Sequence, residues 1–167
     1  MTPMNTQQGT IVAVCSKAEK GVPKHPQPEI TIGEYGVEGD WHSGPMRTRG
    51  DGEVVPNTRH VSIVAKEVFD DLNRELGTDI PIGGFGENIL VEGMGDLAEL
   101  KEGDVLRFSS GVELEVTQQN DPCKNLMVYS ELIPKRAYGR RGVLAVVKTQ
   151  GRLKPGDAVT TARAVTT

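Results

Sequence analysis

LKEGDVL (Leu100 to Leu106) and LKPGDAV (Leu153 to Val159) are two versions of one turn, and they decide the fold. In the second, Pro155 presets its own φ and Gly156 is free to take positive φ, as a type II turn between strands requires. Asp104 and Asp157 then have the short acceptor side chain that closes such a turn on backbone amides. Strand-like runs follow both turns, at Val105–Phe108 and Ala158–Thr161. Outward from them lie Thr10–Ser16, Glu29–Ile32, His60–Val64, Asn88–Val91, Val112–Thr117 and Val143–Thr149, rich in β-branched residues and spaced by turn formers. The segment Lys66–Leu76 is predicted to be a helix, because Val68, Leu72 and Leu76 recur at i, i+4, i+8 with Phe69 beside them and Gly77 ends it. The fold class that results is mainly β, a closed or partly open β-barrel with few short helices, since closure removes exposed edges.

Composition agrees. Gly 20 and Pro 10 outnumber the 4% aromatic residues, which favours short strands and tight turns over a helical bundle. A chain of 167 residues makes one ordinary domain, expected over residues 10–162 after a tail at 1–9. The longest apolar runs, Ile11–Cys15 and Val143–Val147, are far short of the roughly 18–20 residues that cross a bilayer, and MTPMNTQQG has no secretory pattern. No membrane partner and a cytoplasmic location are expected, the latter also because two cysteines make no disulfide framework. The loops expected to be irregular are GVPKHPQP (Gly21 to Pro28) and the polar stretch from Asp40 to Asn57.

Charge is unevenly placed. Residues 1–122 carry 10 basic and 21 acidic groups, whereas residues 123–167 carry 9 basic and 2 acidic. Either the basic tail attracts an anion, or the fold interleaves the two segments and the charges neutralise. Arg140 and Arg141, with Lys135, Arg136 and Tyr138, crowd the stretch before the Val143 strand. They suit either a phosphate or ion pairs with a strand carrying Glu113 and Glu115.

Cys123 follows Asp121-Pro122, a turn that places a thiol near a loop surface, with Lys124 next to it to favour thiolate. Cys15, inside IVAVC, reads as a small core residue. His25, His42 and His60 have no zinc-ligand spacing, and no Walker loop, GxGxxG or GxSxG elbow occurs. GGFG (Gly83 to Gly86) reads as a turn that could bring backbone close to a ligand.

Taken in order, SKAEKGVPK, GVEGDWHSGP, RHVSIV with the KEVFDDLN helix, GFGENILVEG, LKEGDVLRF, PCKNL and GVLAVVKTQGRLKPGDAV resemble the MOSC domain family, in its small stand-alone bacterial form. The resemblance covers about Thr10 to Val159. It implies a barrel like the small barrel domain of pyruvate kinase and a site for the molybdenum cofactor, a phosphate-bearing pyranopterin dithiolene. Cys123 matches the family's metal ligand or sulfur carrier. Asn88 matches a position near the pterin, Lys24, Arg59, Arg140 and Arg141 are expected anion contacts, and Asp40, His42, His60 and Lys124 lie in matching motifs. The insertion Thr48 to Thr58 and Asn120-Asp121 before PC depart from the pattern. Three functions follow. The first is reduction of N-hydroxylated small molecules with electrons from a separate reductase. The second is sulfur carriage by a Cys123 persulfide supplied by a cysteine desulfurase, for cofactor or metal-sulfur cluster assembly. The third is cofactor binding without turnover. No nucleic acid polymer is expected as a partner.

Overall fold

A computed structural model describes residues 7–122 and 124–162. In chain order the strands are β1 (Gln8–Ser16), β2 (His25–Gln27), β3 (Ile30–Gly33), β4 (Gly36–Val37), β5 (Met46–Thr48), β6 (Val54–Pro56) and β7 (Val61–Ala65), followed by helix α1 (Lys66–Leu76). Then come β8 (Ile89–Glu92), β9 (Val105–Phe108), β10 (Glu113–Gln119), a 3-10 turn at Lys124–Val128, α2 (Ile133–Arg136), β11 (Val143–Thr149), β12 (Gly151–Leu153) and β13 (Ala158–Ala162).

The order β13-β9-β10-β11-β7-β8-β1 closes on itself through pairing of β13 with β1, so the mainly β barrel is closed. β1 starts two residues inside the expected tail, with Gln8 opposite Thr160 and Gly9 opposite Val159. All but one of these pairings are antiparallel; β7 and β8 run parallel, joined across α1. That connection needs a crossover, which the helix supplies. α1 buries Val68, Phe69 and Leu72 and stops at Gly77, whose φ of 64° is left-handed. The interior is aliphatic, with Val14, Ile63, Ile89, Leu114, Val116 and Ala145 buried.

The paired turns behave alike. Asp104 accepts the Lys101 N–H at 2.8 Å and Asp157 accepts the Lys154 N–H at 3.0 Å. The proline-rich loop differs from expectation: His25–Gln27 pairs with the end of β1 as β2, an edge position where a missing proline N–H costs nothing. The polar stretch 40–57 also holds structure, a hairpin of β5 and β6 with Arg47 opposite Val55. Its turn is closed by Arg49, which binds both Asp51 and Glu53. The tail charges interleave with the rest. Arg136 and Arg140 meet Asp71 and Glu75 of α1, Lys148 meets Glu115, and Arg152 meets Glu29.

Candidate functional site

A cavity of about 250 Å³ opens where β1 and β10 end and β8 and β11 begin. Its walls come from Lys20 to Val22 after β1, His42 after β4, Arg59 and Ser62 at β7, and Phe85, Gly86 and Asn88 before β8. Asn120, Asp121 and Asn125 close it on the side of the PC motif, and Arg141 and Leu144 lie at β11. Cys123 lies outside the described residues.

The floor is a tight turn. Gly83 has φ 85°, and a side chain there would run into the Lys24 carbonyl, while its own carbonyl accepts the Lys24 N–H at 2.9 Å. Only glycine fits so close an approach. Glu87, fully buried, folds back on this turn and accepts the Gly83 and Phe85 N–H groups at 2.6 and 3.1 Å. Burial raises its carboxyl to about 7, although the two amides and the nearby Arg141 oppose the shift. Arg141 itself is buried, donates to the Phe85 carbonyl and lies 5.1 Å from the centre of the Phe85 ring.

One wall is held from behind by charge. Lys24 Nζ donates to Asp40 Oδ2 at 2.7 Å and to His42 Nδ1 at 2.9 Å. An ammonium can only donate, so Nδ1 of His42 accepts and the ring carries its proton on Nε2. Asp40 also accepts the Lys17 and His42 N–H groups. Burial alone would raise the Asp40 carboxyl. The Lys24 ammonium and the backbone N–H of His42 instead hold it well below the ordinary carboxylate range. Burial pulls the Lys24 amine down, against the pull of Asp40.

Of the residues singled out in the sequence, the fold brings His42, Arg59, Asn88 and Arg141 to the cavity. Lys24 and Asp40 stand behind it, buried. Asn88 is spent on architecture as well: its Oδ1 accepts the Ser62 N–H and its Nδ2 donates to the Cys15 carbonyl, tying β7 to β1. His60 is buried, packs edge-on against Tyr35 at 5.8 Å and accepts the Val147 N–H on Nδ1. Burial lowers its pKa, despite a hydrogen bond with Asn57. Its location makes it a strut between β7 and β11. Lys124 is exposed and outside the cavity wall. Arg140 turns to α1, 3.7 Å from Asp71 and 3.6 Å from Glu75, while Glu113 and Glu115 are engaged by Arg107 and Lys148.

Sequence reading passed over Glu87 and Ser62. The signal for Glu87 was its place after a glycine turn, where a carboxylate can collect amides. Ser62 Oγ is buried and has no hydrogen-bond partner among the described residues, and the same holds for Arg59 Nε. Buried donors without acceptors are uncommon, and here both residues line the cavity. These donors and the cations around them fit the phosphate of a pterin cofactor.

The chain is similar to the Bacillus subtilis (strain 168) protein named "Putative metal-sulfur cluster biosynthesis proteins YuaD", at 32% identity over 74% of this chain and 74% of the relative. The crystal structure of the Bacillus subtilis YuaD protein superposes with a TM-score of 0.85 at 24% identity, covering 94% of this chain and 97% of that one. YiiM from Escherichia coli superposes with a TM-score of 0.68 at 20% identity, covering 96% of this chain and 72% of its own, and shares the fold. The MOSC domain model matches residues 39–160. With that match across most of the barrel and the YuaD relationship beside it, the chain belongs to the MOSC domain family.

Proposed function

We propose that the cavity holds a molybdenum cofactor, a pyranopterin dithiolene with a terminal phosphate, and that Cys123 is its protein sulfur ligand. One observation carries this reading. Lys20, Arg59 and Arg141 surround a cavity whose one carboxylate among the described lining residues is Asp121, and Ser62 Oγ and Arg59 Nε still lack acceptors there. Arg59 and Lys20 would take the phosphate, Arg59 through its planar guanidinium. The Nε2–H of His42 and the amides of Asn120 and Asn125 would meet polar edges of the pterin. Asp121 and Asn125 flank Cys123 in sequence and both line the cavity. A soft thiolate suits molybdenum. When bound, the cofactor would supply two-electron chemistry, which in this reading reduces N-hydroxylated small molecules with electrons from a separate reductase.

The name of the YuaD relative favours a second reading, sulfur carriage for metal-sulfur cluster assembly. The Cys123 thiolate would attack the outer sulfur of a cysteine desulfurase persulfide. A new S–S bond forms at Cys123, and the desulfurase cysteine leaves as thiolate. Metal and sulfur analysis of protein purified from a molybdenum-competent host separates the two. Near-stoichiometric molybdenum, lost in Cys123→Ala, supports the first. Cyanolysable sulfur on Cys123 without molybdenum supports the second.

A further inference from the structure

A second cavity, about 700 Å³, lies under the β5–β6 hairpin and shares Lys20, His42 and Arg59 with the first. Its size is within the roughly 300–1,000 Å³ of small-molecule sites. Its own walls include Trp41, Met46 and Arg47, and none of its lining residues is acidic.

We propose that this cavity is a nucleotide site, in which Arg47, Arg59 and Lys20 hold a phosphate monoester and Trp41 stacks on the base. The inference goes beyond the cofactor reading and stands without it; because both phosphates would call on Lys20 and Arg59, the nucleotide binds the molybdenum-free protein.

Three observations carry it. The first is unneutralised charge. Arg49 is consumed by Asp51 and Glu53, but Lys20, Arg47 and Arg59 make no ion pair among the described residues. The second is a pair of stranded donors. Arg47 Nε and Arg59 Nε are both buried without an acceptor among the described residues. Burial first, and the Arg47 charge second, pull the Arg59 guanidinium down, against the pull of Asp121. A phosphate, with several acceptor oxygens and negative charge, satisfies both donors and relieves the repulsion. The third is Trp41. It lines the cavity, is 51% exposed, and has its backbone N–H fixed by the Lys17 carbonyl at 2.8 Å. An exposed indole on a fixed backbone, with exposed Met46 on the same cavity, is a platform for a flat ring.

Trp41 is the single tryptophan of the chain, so its fluorescence reads this cavity alone. The full-length protein is titrated with AMP, GMP and CMP, with ribose 5-phosphate as the ligand without a base, following fluorescence and heat. Nucleoside monophosphates should quench Trp41 and bind at least about tenfold more tightly than ribose 5-phosphate. Arg47→Glu should weaken nucleotide binding at least about tenfold. Trp41→Ala, followed by heat, should bring nucleotide and ribose 5-phosphate to the same affinity, which keeps the test open if Arg47→Glu does not fold. Equal affinity for both ligands in the parent, or nucleotide binding unaffected by a folded Arg47→Glu variant, overturns the proposal. Molybdenum content of the same preparations reports on the cofactor reading separately: a parent that binds nucleotide but no molybdenum retains this site and loses that one.

Discussion

Lys24 Nζ stands 2.7 Å from Asp40 Oδ2, with both side chains out of water at 1% and 0% exposure. The pair fastens the loop after β4 to the segment that follows β1, and it fixes the tautomer of His42 at the cavity wall. Asp40→Asn would leave an ammonium buried without its counter-charge. A single break of this kind costs about 3–5 kcal/mol, whereas removing both charges costs less. Denaturant melts should therefore place the Lys24→Met, Asp40→Leu double variant above Asp40→Asn. A double variant less stable than the single one would show that the charge pair is not the source of the loss.

Glu87 gives stability a pH dependence. Its carboxyl titrates near 7 when folded and near its ordinary 4.5 when unfolded, so the folded state binds the extra proton between those values. The stabilising contribution is therefore complete below about pH 4.5 and is lost as pH rises through 7, by up to about 3 kcal/mol. Glu87→Gln, whose amide cannot ionise, should show a flatter stability profile than the parent from pH 4.5 to 7. An unchanged slope in that variant would assign the dependence to other groups.

Cys15 should be chemically silent. It is fully buried on β1, and burial, reinforced by the Glu87 charge, pushes its thiol up to about 12. The thiolate needed for reaction is scarce and shielded. In Cys123→Ala protein, which retains Cys15 alone, a thiol reagent in native buffer should react only at the rate of global unfolding. Prompt labelling would contradict the burial. Cys15→Ala should cost on the order of 1–2 kcal/mol through lost contacts, without changing the cavity.

Arg140 and Arg141 should separate on mutation. Arg140→Ala removes long contacts to Asp71 and Glu75 on a half-exposed surface, where ion pairs are worth about 0–1 kcal/mol. Its melting temperature and molybdenum retention should stay close to those of the parent. Loss of retained molybdenum in Arg140→Ala would return this residue to the anion site.

Much of the barrel was legible in local signals. α1 carries its period in Val68, Leu72 and Leu76, and the Gly-Asp turns hold their chemistry within a few residues. β2 and the β5–β6 hairpin were hidden because proline and polar residues normally end strands, and only a neighbouring strand or an Arg49 clasp makes them pair. The site was less legible for a related reason. Arg140 and Arg141 are adjacent in sequence, yet the chain turns one to a helix surface and the other to the cavity floor. Glu87 looks like any surface glutamate until the Gly83 turn and Phe85 surround it.

The barrel is sealed by its most distant parts. Gln7 donates to Thr161 Oγ1 across 154 positions, beside the β1–β13 pairing. On the ribosome, β1 emerges before every other barrel strand and must wait for β13 before its last neighbour exists, with one hydrogen-bonding edge open meanwhile. The hairpin of β9 and β10 can form as soon as it is made, but the ring cannot. Synthesis of the segment that carries β13, and a chaperone that shields an unpaired strand, therefore bear on the yield of this protein.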